Sequence, residues 1–581
     1  MSHPKDALKF GDHNHSARRR FLAQFSAIGL TSTLFPGLLW GKMQEAPGRR
    51  ITPEMIQVAE QMAGLEFNEA EREAILERVN QNLERYQAMR KTPLENSDSP
   101  ALEFNPVLPG MQFETQRHPF KMSPVPAVAA PVDLQEVAFW PVTHLAQLVR
   151  SRQVSSLDLT RMYLDRLKKY DQKLRCVITL TEDLALRLAR RADQETAAGR
   201  YRGPLHGIPW GVKDLAAARG YKTTWGAAPY QDQVFDFDST VVERLEEAGA
   251  VLVAKLSTGE MARGDIWFGG KTMNPWNPTI GPGGSSAGSA AATAAGLVGF
   301  SLGTETRGSI SRPSTNCGLS GLRPTFGRVS RYGVMALTFS MDKVGPICRT
   351  VEDCAVVFNA LQGPDGKDLA VVDHPFNWDP SLETRSLRLG YVRSAFEATR
   401  PNPEEKANDE ATLEKLESMG FDLRPVEFPD YPEDLQRIIL YSEAAAAFDE
   451  LTRSGRDKLL AIQDAWPKSF REARMIPAVE YIQALRLRKL LMKEMEQLFS
   501  QVDALVVPTG PSAPADDPVG KNIPLTNMTG HPAVVVPNGF TAAGIPSSIT
   551  WVGRLYREAE ILALAKNYQD ATGFHENHPE M

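Results

Sequence analysis

The sequence predicts an α/β protein: a mixed, mostly parallel central sheet sandwiched between helix layers, with a small helical extension on its N-terminal side. Three observations carry this. Apolar, β-rich runs recur at 176–180 (CVITL), 251–256 (VLVAKL), 387–392 (LRLGYV), 504–509 (ALVVPT) and 533–539 (AVVVPNG). Most are apolar at successive rather than alternate positions, which implies burial on both faces of a sheet. Helical stretches separate the runs, and 581 residues with 42% hydrophobic and 23% charged side chains suffice for one large domain with additions.

The elements follow in order. Residues 1–45 read as an address: the basic run Arg18-Arg19-Arg20, then Phe21-Leu22 and a modestly apolar stretch from Ala23 to Trp40, resembling a twin-arginine export signal. Gln24, Ser26, Thr31, Ser32, Thr33 and Pro36 make that stretch a poor membrane span. The expectation is an exported, periplasmic or secreted protein; a cytoplasmic chain with a basic tail is the alternative. Residues 51–92 read as a helical hairpin. Thr52-Pro53-Glu54 supplies an N-cap and first turn, and Asn68 with Glu71 forms a capping box. Ile75, Leu76, Val79, Leu83 and Tyr86 then recur at helical spacing, leaving one apolar face to be covered. Residues 93–131, rich in Pro, Ser and acids, read as an extended connector lying on a surface. The main domain spans 132–575.

A net charge of −6 and a pI near 6.0 give no electrostatic reason to expect nucleic acid as a partner. Small-molecule or peptide ligands are favoured, and a homodimer stays open. Cys176, Cys317, Cys348 and Cys354 are too few and too scattered for a disulfide scaffold and read as buried thiols. Neither they nor the ten histidines form a ligand pattern, so no metal and no cofactor are expected.

Residues 281–289, GPGGSSAGS, place four glycines and three serines in nine residues. A flexible linker is a poor reading, because the small-residue helix Ala290-Ala291-Ala292-Thr293-Ala294-Ala295 follows at once, and then a second glycine-containing loop, GTETRGSISRP, at 303–313. A phosphate cradle fits no better: the lysine of a P-loop is missing and the G-x-G-x-x-G spacing fails. What remains is a backbone bent around serine hydroxyls, with glycines giving donors close access to a reacting carbonyl. A serine nucleophile needs a base. Upstream, GPLHGIPWGVKDL (203–215) places Lys213 among Ile208, Pro209, Trp210, Val212 and Leu215, an apolar setting that disfavours the ammonium form.

These segments together resemble the amidase signature family. Gly207-Ile208-Pro209 precede Lys213-Asp214, Ser285 and Ser309 stand 24 residues apart, and Cys317-Gly318-Leu319-Ser320-Gly321-Leu322-Arg323-Pro324-Thr325 follows. Val506-Val507-Pro508-Thr509 and Met528-Thr529-Gly530-His531-Pro532-Ala533 extend the likeness, which runs from about residue 133 to about 575. The resemblance implies the family's sheet-and-helix fold and an amidase chemistry without metal or cofactor. Ser309 would be the nucleophile, Ser285 a proton-relaying serine in a cis peptide, and Lys213 the base. Backbone N–H groups of Thr306, Arg307, Gly308 and Ser309 would form the oxyanion hole, with Gly283, Gly284 and Ser286 as the supporting loop. A free lysine titrates near 10.4 and a base working at neutrality needs about 7–8, so Lys213 must be buried.

Departures from the family pattern bear on the same loop. Glu305 stands for the usual Asp, Arg307 for a glycine, and Ser311 for an arginine that Arg312 could replace from next door; Ala287 stands for another glycine. If Arg307 needed a left-handed backbone the turn would be strained. A catalytically weakened exported binding protein is therefore the non-enzyme alternative. The A subunits of tRNA-dependent amidotransferases are relatives within the family, and the hairpin at 51–92 resembles a generic helical pair at least as well as it does their small C subunit. Where those relatives carry an E-A-S-S-N-type stretch, this chain reads Glu443-Ala444-Ala445-Ala446-Ala447-Phe448-Asp449-Glu450-Leu451, which favours a free-standing amidase over a glutaminase subunit. The last alternative uses Gly284-Ser285-Ser286-Ala287-Gly288 as a G-x-S-x-G elbow, with Ser286 attacking and His374 or His531 as base. The resemblance implies that the acyl pocket is shaped by stretches within 430–490, where Arg471 and Arg474 would meet either a carboxylate or solvent.

Overall fold

The computed structural model describes residues 50–432, 435–510, 513–514 and 517–581. The basic run and apolar stretch read as an export signal lie outside them. The described chain forms two units, 50–94 and 95–581.

The first unit is a helix pair. Helix α1 (Pro53–Met62) starts at Thr52, whose hydroxyl accepts from Met55 N at 3.4 Å. Helix α2 (Glu69–Met89) starts at the expected capping box: Glu71 N donates to Asn68 Oδ1 at 3.0 Å and Asn68 N donates to Glu71 Oε2 at 2.8 Å. Polar contacts hold the pair, with Arg72 on Glu60 at 2.6 Å and Asn80 exchanging bonds with both backbone groups of Ile51. Within this unit the apolar side of α2 stays open, with Ile75 and Tyr86 exposed.

The second unit is built on an eleven-stranded sheet. Its spatial order is β1 (Val177–Leu180), β3 (Val251–Leu256), β2 (Pro209–Lys213), β6 (Phe300–Glu305), β8 (Lys343–Cys348), β7 (Ser320–Arg323), β12 (Ala533–Phe540), β13 (Pro546–Gly553), β11 (Ala504–Pro508), β9 (Leu389–Val392) and β10 (Leu423–Val426). A separate short hairpin pairs β4 (Ile266–Trp267) with β5 (Gly270–Lys271). The sheet is mixed. Its parallel pairing lies in two runs, β3–β2–β6 and β11–β9–β10, which supply four of the ten ladders; the other six are antiparallel. Apolar runs report burial on both faces, and here antiparallel β12 and β13 are as deeply buried as the parallel strands.

Helices cover both faces, as alternate side chains of β3 show. Leu252 joins a cluster with Trp210, Val212, Phe300 and Leu302, while Val251 and Val253 join Leu167, Leu188, Ala291 and Ala292 on the other side. Residues 95–131 carry few regular elements yet are anchored along this unit. Asn96 exchanges hydrogen bonds with both backbone groups of Ala336, and Phe104 lies edge-on to Phe326, with the Arg488 guanidinium 3.5 Å from its ring centre. All four cysteines are buried free thiols.

Candidate active site

The site forms where β2 and β6 lie side by side. Their parallel register pairs Val212 with Leu302, so Lys213, the last residue of β2, comes level with the end of β6. Lys213 is 1% exposed, and its Nζ donates to Ser285 Oγ at 2.7 Å and to Thr304 Oγ1 at 2.8 Å. Burial pushes its pKa down to about 7, against the opposing pull of the Asp342 and Glu305 carboxylates. The burial that the sequence required of this lysine is present.

Ser285 sits in the glycine–serine loop just before helix Ala287–Ala294, and the Gly284–Ser285 peptide is cis. Gly283 has φ +70°. Gly284 packs so tightly on the backbone of Gly264 that a Cβ there would lie 1.8 Å from its carbonyl oxygen, which only glycine avoids. Ser286 is turned inward: its hydroxyl donates to Thr304 O and accepts from Thr304 N, both at 3.2 Å. The Ser286 N–H donates to Ser309 O at 3.1 Å, tying the two serine loops together.

Ser309 lies between β6 and helix Ser311–Asn316 and is 9% exposed. Its hydroxyl makes no hydrogen bond among the described residues, so Lys213 and Ser285 are joined directly while Ser285 and Ser309 are not. In the segment before it, Thr306 is held through its hydroxyl by Asp342, which also accepts from Leu337 N, Thr338 N and the Thr338 hydroxyl. Gly308 takes the left-handed position, at φ +82°. Arg307 is not among the residues with positive φ, so the strain that its substitution for glycine threatened does not arise at its backbone.

Glu305 holds the loop from beneath. One carboxylate oxygen accepts from Ile310 N, Ser311 N and Ser311 Oγ, each at 2.9 Å; the other accepts from Arg323 at 2.9 Å and Asn527 at 2.8 Å. Burial pushes this carboxyl up, but Arg323, Asn527 and the backbone donors outweigh it and hold its pKa at about 2. The longer Glu and the shorter Ser311 thus meet each other, and Arg312 makes no hydrogen bond to Glu305. Removing this carboxylate leaves Arg323, 1% exposed, with Thr526 Oγ1 and His531 O but without the carboxylate that balances its charge. Glu305→Ala is therefore expected to cost about 3–5 kcal/mol in a urea melt.

Neither histidine of the elbow alternative reaches Ser286. His531 bonds to Thr529 at 2.7 Å and stacks on Phe499, and burial pushes its pKa down to about 3. His374 packs against Phe113 and Tyr556. Arg471 and Arg474 are paired with Asp457 and Asp449. The sequence reading missed Thr304, the second partner of Lys213, and Asp342. Thr304 lies one residue before Glu305 in the loop motif already singled out, but only the β2–β6 register shows that it meets the lysine. Among the described residues no three His, Cys, Asp or Glu side chains are grouped to hold a metal.

The basic side chain that reaches a serine hydroxyl in these loops is Lys213, on Ser285, while His531 and His374 are engaged elsewhere. The chain belongs to the amidase family, whose model, described as Amidase, matches residues 158–562. It is 34% identical over 475 residues to the A subunit of the glutamyl-tRNA(Gln) amidotransferase of Roseiflexus sp. (strain RS-1), covering 74% of this chain and 96% of that one. Among solved structures, the native peptide amidase of Stenotrophomonas maltophilia matches with TM-score 0.68 and 31% identity over 77% of this chain and 99% of that one. The A subunit of the glutamyl-tRNA(Gln) amidotransferase of Thermotoga maritima matches with TM-score 0.64 and 26% identity over 77% and 96%. The protein is accordingly an enzyme of amide carbon–nitrogen bonds.

Proposed function

We propose that the chain hydrolyses a carboxylic or peptide-type amide to acid plus amine or ammonia, through an acyl-enzyme on Ser309. The observation that carries this reading is the buried Lys213 with Nζ 2.7 Å from Ser285 Oγ, in the loop bonded to the Ser309 backbone. Neutral Lys213 takes the Ser285 proton as Ser285 takes that of Ser309, and the Ser309 oxygen attacks the amide carbon. The tetrahedral oxyanion is received by backbone N–H groups of Thr306, Arg307, Gly308 and Ser309. The proton returns through Ser285 to the departing nitrogen, the C–N bond breaks, and water releases the acid by the same steps in reverse order.

A second reading has its own support. The likeness to the A subunits of amidotransferases favours a glutaminase that passes ammonia to a partner-held acceptor, and this reading shares the acyl-enzyme on Ser309. The experiment that separates them is turnover by the purified chain, alone, on a panel of acyl amides, amino-acid amides, esters and glutamine. Hydrolysis of non-glutamine amides without any partner is expected, unchanged by saturating chelator. Activity on glutamine only, and only with added partner proteins and tRNA, would establish the second reading; a zinc-reversible loss would overturn the serine–lysine chemistry. Export stands as a proposal from Arg18-Arg19-Arg20 and its flank. Among the described residues no helix is long and apolar enough to cross a membrane.

A further inference from the structure

The segment between β7 and β8 reaches the site without a helix or strand of its own, and it carries the acid that fixes Thr306. That acid, Asp342, is oriented by its own loop: it accepts from Leu337 N at 2.7 Å and from Thr338 N and Thr338 Oγ1, each at 2.9 Å. A carboxylate held this way is only as fixed as the loop that holds it. Thr306 opens the turn that would receive the oxyanion, so the placing of this loop sets the placing of the donors.

The loop is clamped by the connector. Ala336, next to Leu337, makes no main-chain hydrogen bond among the described residues. Its N–H donates to Asn96 Oδ1 at 2.8 Å, and its carbonyl accepts from Asn96 Nδ2 at 2.9 Å. One side-chain amide thus satisfies both backbone groups, taking the place of the neighbouring strand that this loop lacks. Asn96 Nδ2 also reaches Ala447 O at 3.4 Å, at the end of helix Leu435–Ala447, and so ties the loop to that helix. A second hold lies at Ser340, whose Oγ and O accept from Arg488 at 2.8 and 2.9 Å, with the Phe104 ring against the guanidinium. Ser97 and Ser99, just after Asn96, line the cavity of about 150 Å³ that Thr304 and Thr306 also line.

We propose that Asn96 is a positioning residue for the oxyanion turn, acting through Ala336, Leu337 and Asp342 on Thr306. The connector is thereby a working part of the catalytic unit rather than a spacer. This rests on Ser309 being the nucleophile and on its loop receiving the oxyanion.

The test is the rate at which a fluorophosphonate labels Ser309 in the full chain. Phosphorus bonds to the serine oxygen, fluoride leaves, the serine proton passes to the base, and the phosphoryl oxygen takes the place of the oxyanion. The fraction labelled at completion counts folded molecules, whereas the rate constant reads the turn. Asn96→Ala is expected to slow labelling about 10- to 100-fold at full final labelling, less than or equal to the loss of an oxyanion donor outright. Its rate should still rise through pH 7, because Lys213 is untouched. Asn96→Asp keeps the acceptor for Ala336 N–H and should lose less; it decides alone if the alanine variant does not fold. Thr306→Val cuts the last link, and on that background Asn96→Ala should cost less than about 2-fold more. An unchanged rate at full labelling, a loss that adds in full to that of Thr306→Val, or a pH limb moved away from 7 overturns the proposal. A tag on another serine overturns it together with the Ser309 reading, whereas a tag on Ser309 at an unchanged rate overturns it alone.

Discussion

Ser309→Ala is expected to abolish covalent labelling by a fluorophosphonate and to lower amide turnover by on the order of 10⁴-fold or more, to the level left by binding and oxyanion donors alone. The expectation follows from where each serine hydroxyl points. Ser286 Oγ is engaged with both backbone groups of Thr304, and Ser285 Oγ with Lys213. The Ser309 hydroxyl has no partner among the described residues and keeps some exposure, at 9% for the residue, as a group that must meet substrate requires. Ser285→Ala leaves Ser309 in place but interrupts the route to the base, so both acylation and deacylation should slow while slow labelling persists. Ser286→Ala removes only the bonds to Thr304 and should cost least. The order of loss, 309 above 285 above 286, is read from kcat and labelling rate; an inverted order would belong to the elbow reading.

Lys213→Ala is expected to lower amide turnover at pH 7 by about 10²–10⁴-fold, the usual contribution of a positioned base. Lys213→Arg should be as poor, since a guanidinium gives up no proton at these pH values. The pH profile of the unaltered enzyme follows from the sign of the shift. In the proposed mechanism Lys213 works neutral, and burial lowers its pKa to about 7, so kcat/KM should fall as pH drops through 7 and level off above it. Lys213→Ala should lose that limb and regain part of its ester hydrolysis at high pH, where hydroxide substitutes for the base. The same shift has a stability consequence. Between about 7 and about 10.4 the unfolded chain holds the lysine proton and the folded chain does not, so this group's contribution to stability rises with pH across that window. Near-normal amide turnover by Lys213→Ala at pH 7 would show the base to be another group.

Much of this site was legible because its chemistry is local in sequence. The glycine–serine loop, the second loop 24 residues on, and a lysine set among apolar residues could each be read from neighbours along the chain. The capping box at Asn68 and Glu71 was legible for the same reason. What escaped depends on pairing between distant segments. Thr304 meets Lys213 only because β2 and β6 are adjacent and in that register, and Asp342 reaches Thr306 from 36 residues away. The replacement of Asp by Glu at 305 and of Arg by Ser at 311 looked like two losses in sequence. In space they form one contact, the Ser311 hydroxyl on the longer carboxylate. Arg307 looked like a threat to the turn, and the backbone places the left-handed residue at Gly308 instead.

The measurement that tests the central claim most directly is mass spectrometry of the fluorophosphonate-labelled peptide. The loops carrying Ser285, Ser286 and Ser309 fall within 281–313, and fragmentation assigns the tag to one hydroxyl. A single tag on Ser309, lost in Ser309→Ala and slowed in Lys213→Ala, is the result the serine–lysine mechanism predicts. A tag on Ser286 or Ser285 in the unaltered enzyme would contradict it.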